Sequence, residues 1–137
     1  MDAVALQALA LTTASSARDR TVEITTTGGR SGLPHRIQIW FYAVNGRTFL
    51  SGKPGRTPDW YRNLLVNPRF TFHITHGDRV DLKATAVPVE DQDDRREIFE
   101  AIVADLNQPS NPGRIQQPTT VADWLDGSVL LEIVFDD

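Results

Sequence analysis

The chain contains no cysteine, which excludes disulfide bonds, thiolate chemistry and zinc sites built on cysteine. Lysine is also scarce: Lys53 and Lys83 are the only two, and the 14 basic residues are outnumbered by 18 acidic ones. The resulting net charge of −4 argues against nucleic-acid binding, which needs a concentrated basic face. An anionic ligand would have to be held by local cations, so the positions of the basic residues are informative.

Long apolar runs are missing as well. The apolar stretch Ala3–Leu11 is far too short to span a bilayer, and it follows Asp2 instead of the basic residues of a signal peptide. We therefore expect no stable membrane span and a cytoplasmic location. With 137 residues, of which 40% are hydrophobic and 23% charged, the composition is that of one globular domain, which we place at residues 1–137.

Alternating, β-branched segments dominate the chain from Thr21 onward and predict strands. Six such segments are present, at residues 21–27, 36–42, 48–51, 70–75, 80–86 and 128–135. Asn45–Gly46 predicts a two-residue hairpin turn, because a type I′ turn needs positive φ at both positions. Strands this apolar are hazardous as open edges, so we expect a closed or partly closed six-stranded antiparallel barrel over residues 20–137.

Helices are predicted at three places around these strands. Residues 3–17 are rich in Ala and Leu and predict a helix over the barrel mouth. A second helix follows Thr57, with Thr57 as N-cap and Pro58 in the first helical position, and residues 91–106 form a third. The proline-rich segment 107–118 predicts a loop, which we hypothesise acts as a lid, and residues 120–125 predict a helical turn.

The turn at Gly28–Gly32 is the first candidate site. Its glycines allow close approach of the backbone to a ligand, while Arg30 and Ser31 suit phosphate oxygens. By itself this pattern favours a plain turn over an anion site. A second loop, Ser51–Pro58, carries Lys53 before a helix N-terminus, where anions also bind. We expect these two loops to lie at the ends of neighbouring strands and to hold one elongated, phosphate-bearing ligand with its ring between them.

The histidines are weaker candidates for a functional site. His73 and His76 are three apart on a predicted strand and so point to opposite faces, which makes them a poor metal pair, and we expect no metal site. The sequence also shows no arrangement of nucleophile, base and orienting group for hydrolysis. A ligand cradle without a catalytic group of its own is typical of a protein that uses a cofactor.

Two motifs resemble the deazaflavin-dependent nitroreductase family. The loop Thr25–Gly32 reads TTTGGRSG, and the helix Pro58–Pro68 reads PDWYRNLLVNP; both occur in the family's order over residues 21–76. The resemblance implies a mainly β split β-barrel with flanking helices (α+β), related to flavin-binding pyridoxamine-phosphate-oxidase-like proteins. It also implies coenzyme F420, a two-electron hydride carrier, as the cofactor.

The same resemblance implies a role for individual residues. It assigns the phosphate tail to Arg30, Ser31 and Gly32 with Lys53 and Arg36, the ring to Gln38, Trp40 and Gly52, and the helix that closes the pocket to Pro58, Trp60, Tyr61 and Asn63. Family members often carry a C-terminal tyrosine facing the substrate, and Trp124 stands closest to that position. The catalytic residue is left unknown, with Tyr61 and Trp124 as candidates.

These observations predict a reductase that passes a hydride from reduced F420 to an electron-poor small molecule such as an enone, quinone or nitro compound. Two alternatives stay open. One is an FMN-dependent reductase or oxidase on the same fold, and the other is a non-catalytic protein that binds a cofactor or small molecule. The sequence also leaves the oligomeric state open, with a homodimer as one alternative.

Overall fold

The computed structural model describes residues 1–113 and 119–136. Within these residues it contains seven strands and five helices. In chain order they are α1 (Ala3–Leu9), α2 (Ala17–Arg20), β1 (Thr21–Thr27), β2 (Pro34–Trp40), β3 (Tyr42–Val44), β4 (Arg47–Ser51), α3 (Asp59–Val66), β5 (Arg69–Ile74), β6 (Val80–Pro88), α4 (Gln92–Asn107), α5 (Val121–Gly127) and β7 (Leu130–Phe135).

All seven strands form one antiparallel sheet in the order β2-β1-β5-β6-β7-β4-β3. The two edge strands, β2 and β3, are consecutive in the chain and are separated only by Phe41, which is 1% exposed. Because one residue joins both edges, the sheet curls into a half-barrel. The predicted split-barrel fold is confirmed.

The strand count differs from the prediction, because the segment predicted as one strand over residues 36–42 is two. The ladder between β1 and β2 ends at the pair Thr21↔Trp40, and the backbone N–H of Phe41 then donates to the carbonyl of Arg20 at 3.0 Å. The chain then pairs with β4 instead, in the register Tyr42↔Phe49. The hairpin between β3 and β4 turns at Asn45 (φ 52°) and Gly46 (φ 76°), which confirms the predicted turn.

Two apolar clusters form the core. The first fills the barrel with alternate residues of β1, β5, β6 and β7, such as Ile24, Phe72 and Leu131, and α1 and α3 pack against it. The second lies beneath α4 and α5 and includes Phe49 and Phe99. We call these two helices, together with the cluster beneath them, the helical layer. Strands β4 and β7 contribute to both clusters, and the near-continuous apolar sequence of β7 fits burial on both faces.

The N-terminal helix predicted over residues 3–17 is wrong in extent, because α1 ends at Leu9. After Leu9, hydroxyl side chains accept hydrogen bonds from backbone N–H groups that a longer helix would use. Ser15 Oγ accepts from the N–H of Thr12 at 2.8 Å, and Thr12 Oγ1 accepts from the N–H of Ala14 at 3.2 Å. Helix α2 then begins at a capping box made by Ser16 and Asp19.

Other element ends differ less. Helix α3 begins at Asp59 with an extended Pro58 (ψ 156°) as N-cap, so the predicted Thr57 cap is wrong by one residue. Helix α4 is capped by Asp91 and runs to Asn107. Residues 114–118 of the loop predicted to act as a lid lie outside the described residues. No helix in the described part of the chain is long and apolar enough to cross a membrane.

Candidate cofactor site

A groove of about 900 Å³ opens between the β1–β2 turn and α3. The turn supplies its polar end, α3 supplies one wall, and the start of β2 supplies the other. Its lining residues are Thr26, Gly28, Gly29, Arg30, Ser31, His35, Ile37, Asp59, Trp60, Arg62, Asn63 and Val66.

The turn is closed by its own backbone, which leaves two amides free. The N–H of Gly28 donates to the carbonyl of Leu33 at 2.8 Å, and that of Gly32 donates to Gly28 at 2.9 Å. The backbone N–H groups of Arg30 and Ser31, at the tip, have no acceptor among the described residues. Adjacent free amides at the tip of a turn are a feature of anion-binding backbone concavities.

Two side chains lie over Gly28, so a larger residue there would displace them. A Cβ there would lie 2.5 Å from Ser31 Oγ and 2.8 Å from His35 Nε2, both far below contact distance. The turn is tied to α3 by Asn63, whose Oδ1 accepts from the N–H of Gly29 at 3.0 Å and whose Nδ2 donates to Thr26 Oγ1 at 3.4 Å. This cross-link fixes the width of the polar end.

One of the charged groups that line the groove is uncommitted. Arg30 makes no ion pair or hydrogen bond with any described residue, and it is exposed. Arg62 pairs with Asp59 at 3.1 Å on the exposed side of α3. The free guanidinium, the two amides and the Ser31 hydroxyl fit a phosphate group, while Ile37 and Trp60 give the groove an apolar wall that fits a planar ring.

Several residues predicted at the cofactor do not line this groove. Arg36 pairs with Glu23 at 2.6 Å, and Trp40 packs over the guanidinium of Arg20 at 5.8 Å. Gln38 lies opposite Glu23 in the β1–β2 ladder, and Gly32 closes the turn beside the groove.

The second predicted loop leads into α3, with Gly52 beside Pro58, but Gly52 and Lys53 do not line the groove. Gly52 and Lys53 follow β4, and the sheet order places β5, β6 and β7 between β4 and β1. The expectation that the two loops end neighbouring strands of the sheet is therefore wrong. It failed because the order of strands in a sheet depends on long-range pairing, which the spacing of motifs along the chain does not report.

Of the residues predicted on the helix that closes the pocket, some line the groove and others do not. Trp60 and Asn63 line the groove, Pro58 caps α3, and Tyr61 packs against the barrel cluster. Trp124 is 4% exposed in the helical layer, where its Nε1 donates to Thr119 Oγ1 at 2.7 Å. The structure thus brings together Arg30, Ser31, Trp60 and Asn63, and it places Trp124 in a packed core.

His35 is a groove residue that sequence reasoning passed over. It pairs with Thr26 in the β1–β2 register, which puts both side chains on the side that faces α3. By contrast, the buried His73 has both ring nitrogens occupied, Nδ1 by Asp81 and Nε2 by Thr25, each at 2.7 Å. Counting outward from the predicted Gly28–Gly32 turn pairs position 26 with position 34, so the observed pairing of Thr26 with His35 could not be read from the sequence.

Comparisons with solved structures identify the fold class of the chain. The structure of an F420 reductase is 18% identical over 85% of this chain and 86% of its own, with a TM-score of 0.59. A pyridoxamine 5′-phosphate oxidase-like protein from Listeria innocua is 16% identical over 86% of this chain and 85% of its own, with a TM-score of 0.58. A conserved hypothetical protein from Mycobacterium tuberculosis is 22% identical over 100% of this chain and 82% of its own, with a TM-score of 0.66. These likenesses establish the split-barrel fold.

The family model for F420H2-dependent quinone reductases matches residues 10–120, which is most of the chain. The chain belongs to that family. It is therefore an F420-dependent reductase, and the prediction of F420 as cofactor is confirmed. The search of curated proteins found no match.

Proposed function

We propose that this reductase transfers a hydride from reduced F420 to an electron-poor small molecule, with a quinone as the first candidate and enones and nitro compounds as the others. The observation that carries the proposal is the groove, where an unpaired cation and free amides stand at one end and an apolar wall at the other. That combination suits a cofactor with an anionic tail and a planar ring.

In this proposal the chain's own residues bind and orient. Arg30 and Ser31 would hold the phosphate with the amides of the turn, and Ile37 and Trp60 would line the ring and exclude water from it. The bound cofactor supplies the hydride. Alignment of the donor and acceptor carbons in a fixed pocket lowers the barrier by several kcal/mol without a catalytic side chain.

The same arrangement accounts for the absence of a phenol from the groove lining. Tyr61 packs against the barrel cluster and Tyr42 against the cluster beneath α4 and α5, and neither is among the described residues that line the groove. We infer that the proton that completes the reduction comes from water or a solvent-exposed group. This route suits quinones, whose reduced oxygens readily take protons from solvent.

The test is a binding titration followed by an acceptor panel. The purified protein is titrated with F420 and with FMN, following fluorescence quenching, and is then given reduced F420 and a quinone, an enone or a nitroaromatic. We expect micromolar binding of F420, weaker binding of FMN, and fastest oxidation with the quinone. Binding without oxidation by any acceptor would contradict the proposal and favour a cofactor-binding role.

A further inference from the structure

One histidine of the groove has no partner. Neither ring nitrogen of His35 makes a hydrogen bond to any described residue, and the side chain is exposed to solvent. Its Nε2 lies 2.8 Å from the point where a Cβ of Gly28 would stand, and Ser31 Oγ lies 2.5 Å from the same point. The imidazole and the hydroxyl therefore converge on one spot at the polar end of the groove.

The charged groups around His35 favour an anion. Arg30 faces the groove from the turn, while Arg62 and Asp59 face it from α3. The Asp59 carboxylate is paired with Arg62, so it does not neutralise Arg30. Within the lining of the groove, His35 is the one side chain of a type that gains and loses charge between pH 5 and 8.

We propose that His35 binds the phosphate of F420 together with Arg30 and Ser31, and that protonation of His35 sets the pH dependence of cofactor affinity. This inference rests on the proposed function, because it takes the groove as the F420 site. An imidazolium attracts a phosphate and a neutral imidazole does not, so affinity falls as the pH rises through the range in which the ring loses its proton. The residue therefore makes cofactor loading responsive to pH.

The experiment compares two ligands at two pH values. F420 and the deazaflavin ribityl analogue that lacks the phosphate tail are titrated into the protein at pH 5.5 and 8.0, following fluorescence. Because both compounds carry the same ring, any titration of the ring cancels in the ratio of their dissociation constants. We expect the dissociation constant of the analogue, divided by that of F420, to be about three- to tenfold smaller at pH 8.0 than at pH 5.5. This is the range expected for one exposed charge-assisted contact.

Three variants complete the test. His35→Gln should remove the pH dependence of the ratio, and His35→Arg should keep the tight binding at pH 8.0 that the wild type shows at pH 5.5. His76→Gln, a histidine outside the groove, should behave as the wild type. Thermal melts at both pH values confirm that each variant is folded.

The outcomes separate the two proposals. A pH-independent ratio in the wild type, with F420 still bound more tightly than the analogue, would overturn the role of His35 and leave the proposed function standing. A pH dependence that persists in His35→Gln would do the same, since another group would then titrate. If the folded protein binds neither compound, the proposed function fails and this inference fails with it.

Discussion

The arginines of the helical layer are held by several partners, whereas one of the two arginines that line the groove is left without a partner among the described residues. In the helical layer, the guanidinium of Arg95 donates to the carbonyls of Val89, Leu125 and Ser128, at 3.2, 3.3 and 3.2 Å. Arg47, which anchors α4 to β4, is shared between two carboxylates. In the groove, Arg30 has no partner within residues 1–113 and 119–136, while Arg62 pairs with Asp59.

This contrast locates the part of the molecule that is organised for binding. Polar groups that are fully paired hold elements together, and their removal costs stability. Polar groups left unpaired at a solvent-filled groove contribute little to folding and stay available for a ligand. We therefore expect substitutions in the helical layer to change the free energy of unfolding and substitutions at the groove to change cofactor affinity.

The largest effect should come from the helical layer. Phe99→Ala removes a ring that is fully buried and packs against Trp124 with ring centroids 5.8 Å apart. We expect the free energy of unfolding to fall by about 3–5 kcal/mol, measured by urea denaturation. Leu65→Ala, at a half-exposed position of α3, is the matched control and should change stability by less than about 0.5 kcal/mol. A similar loss in both variants would contradict the comparison.

The next largest effect concerns Tyr42, whose side chain packs against the helical-layer cluster. Burial raises the pKa of Tyr42 to about 12, with the nearby Asp105 carboxylate adding to the shift. The unfolded chain loses this proton near the ordinary tyrosine pKa of 10.0, so the stabilisation is complete below pH 10 and is lost as the pH rises toward 12. We expect Tyr42 to account for a loss of about 2 kcal/mol across that interval.

The measurement is urea denaturation at a series of alkaline pH values, with Tyr42→Phe as the comparison. The variant should lose less stability between pH 10 and 12 than the wild type. Equal pH dependence in the two proteins would show that another group controls alkaline unfolding.

At the groove the expected change is in binding. Arg30→Ala should weaken F420 binding by about 1–3 kcal/mol, the usual value of a hydrogen bond to a charged group, while leaving the unfolding midpoint unchanged. Arg79→Ala is the control, because Arg79 is exposed on the β5–β6 turn and does not line the groove. Fluorescence titration gives the affinities. An Arg30→Ala variant that binds F420 as the wild type does would place the phosphate elsewhere.

The smallest effect is expected at the edge of the helical layer. The hydrogen bond from Arg47 holds the pKa of Asp94 below its usual range. A lowered pKa stabilises the folded state above the ordinary carboxyl value of 3.8, and this contribution disappears as the pH falls through the lower folded value. Asp94→Asn should therefore reduce acid-induced destabilisation below about pH 4 by less than about 1 kcal/mol, since the pair is partly exposed. Acid titrations followed by circular dichroism test this.

Local patterns predicted most of the fold. Alternation located the strands, and Asn45–Gly46 located a hairpin, because these signals depend on a few neighbouring residues. The break at Phe41 was missed because Trp40, Phe41 and Tyr42 are all large, so periodicity continues through it. Only the pairing of the next segment with β4, far along the sheet, shows where one strand ends and the other begins.

The candidate site was less accessible to sequence reasoning. Arg30 and Ser31 follow from the composition of a single turn, whereas the position of Lys53 depends on the strand order of the whole sheet. The sequence could not distinguish a Trp124 that lines a substrate pocket from one that packs in a core, because aromatic side chains are common in both. Its packing against Phe99 and the hydrogen bond from its Nε1 to Thr119 Oγ1 are side-chain contacts that only the folded chain reveals.

The single-residue link at Phe41 has a mechanical consequence for the site. Two consecutive Cα–Cα steps span at most about 7.6 Å, so the ends of β2 and β3 that meet at Phe41 are tethered at close range. The other end of β2, at Pro34, has no such tether and carries the turn that bounds the groove. One end of β2 is therefore held by the covalent chain, whereas the groove end is held by hydrogen bonds of the Asn63 side chain to Gly29 and Thr26.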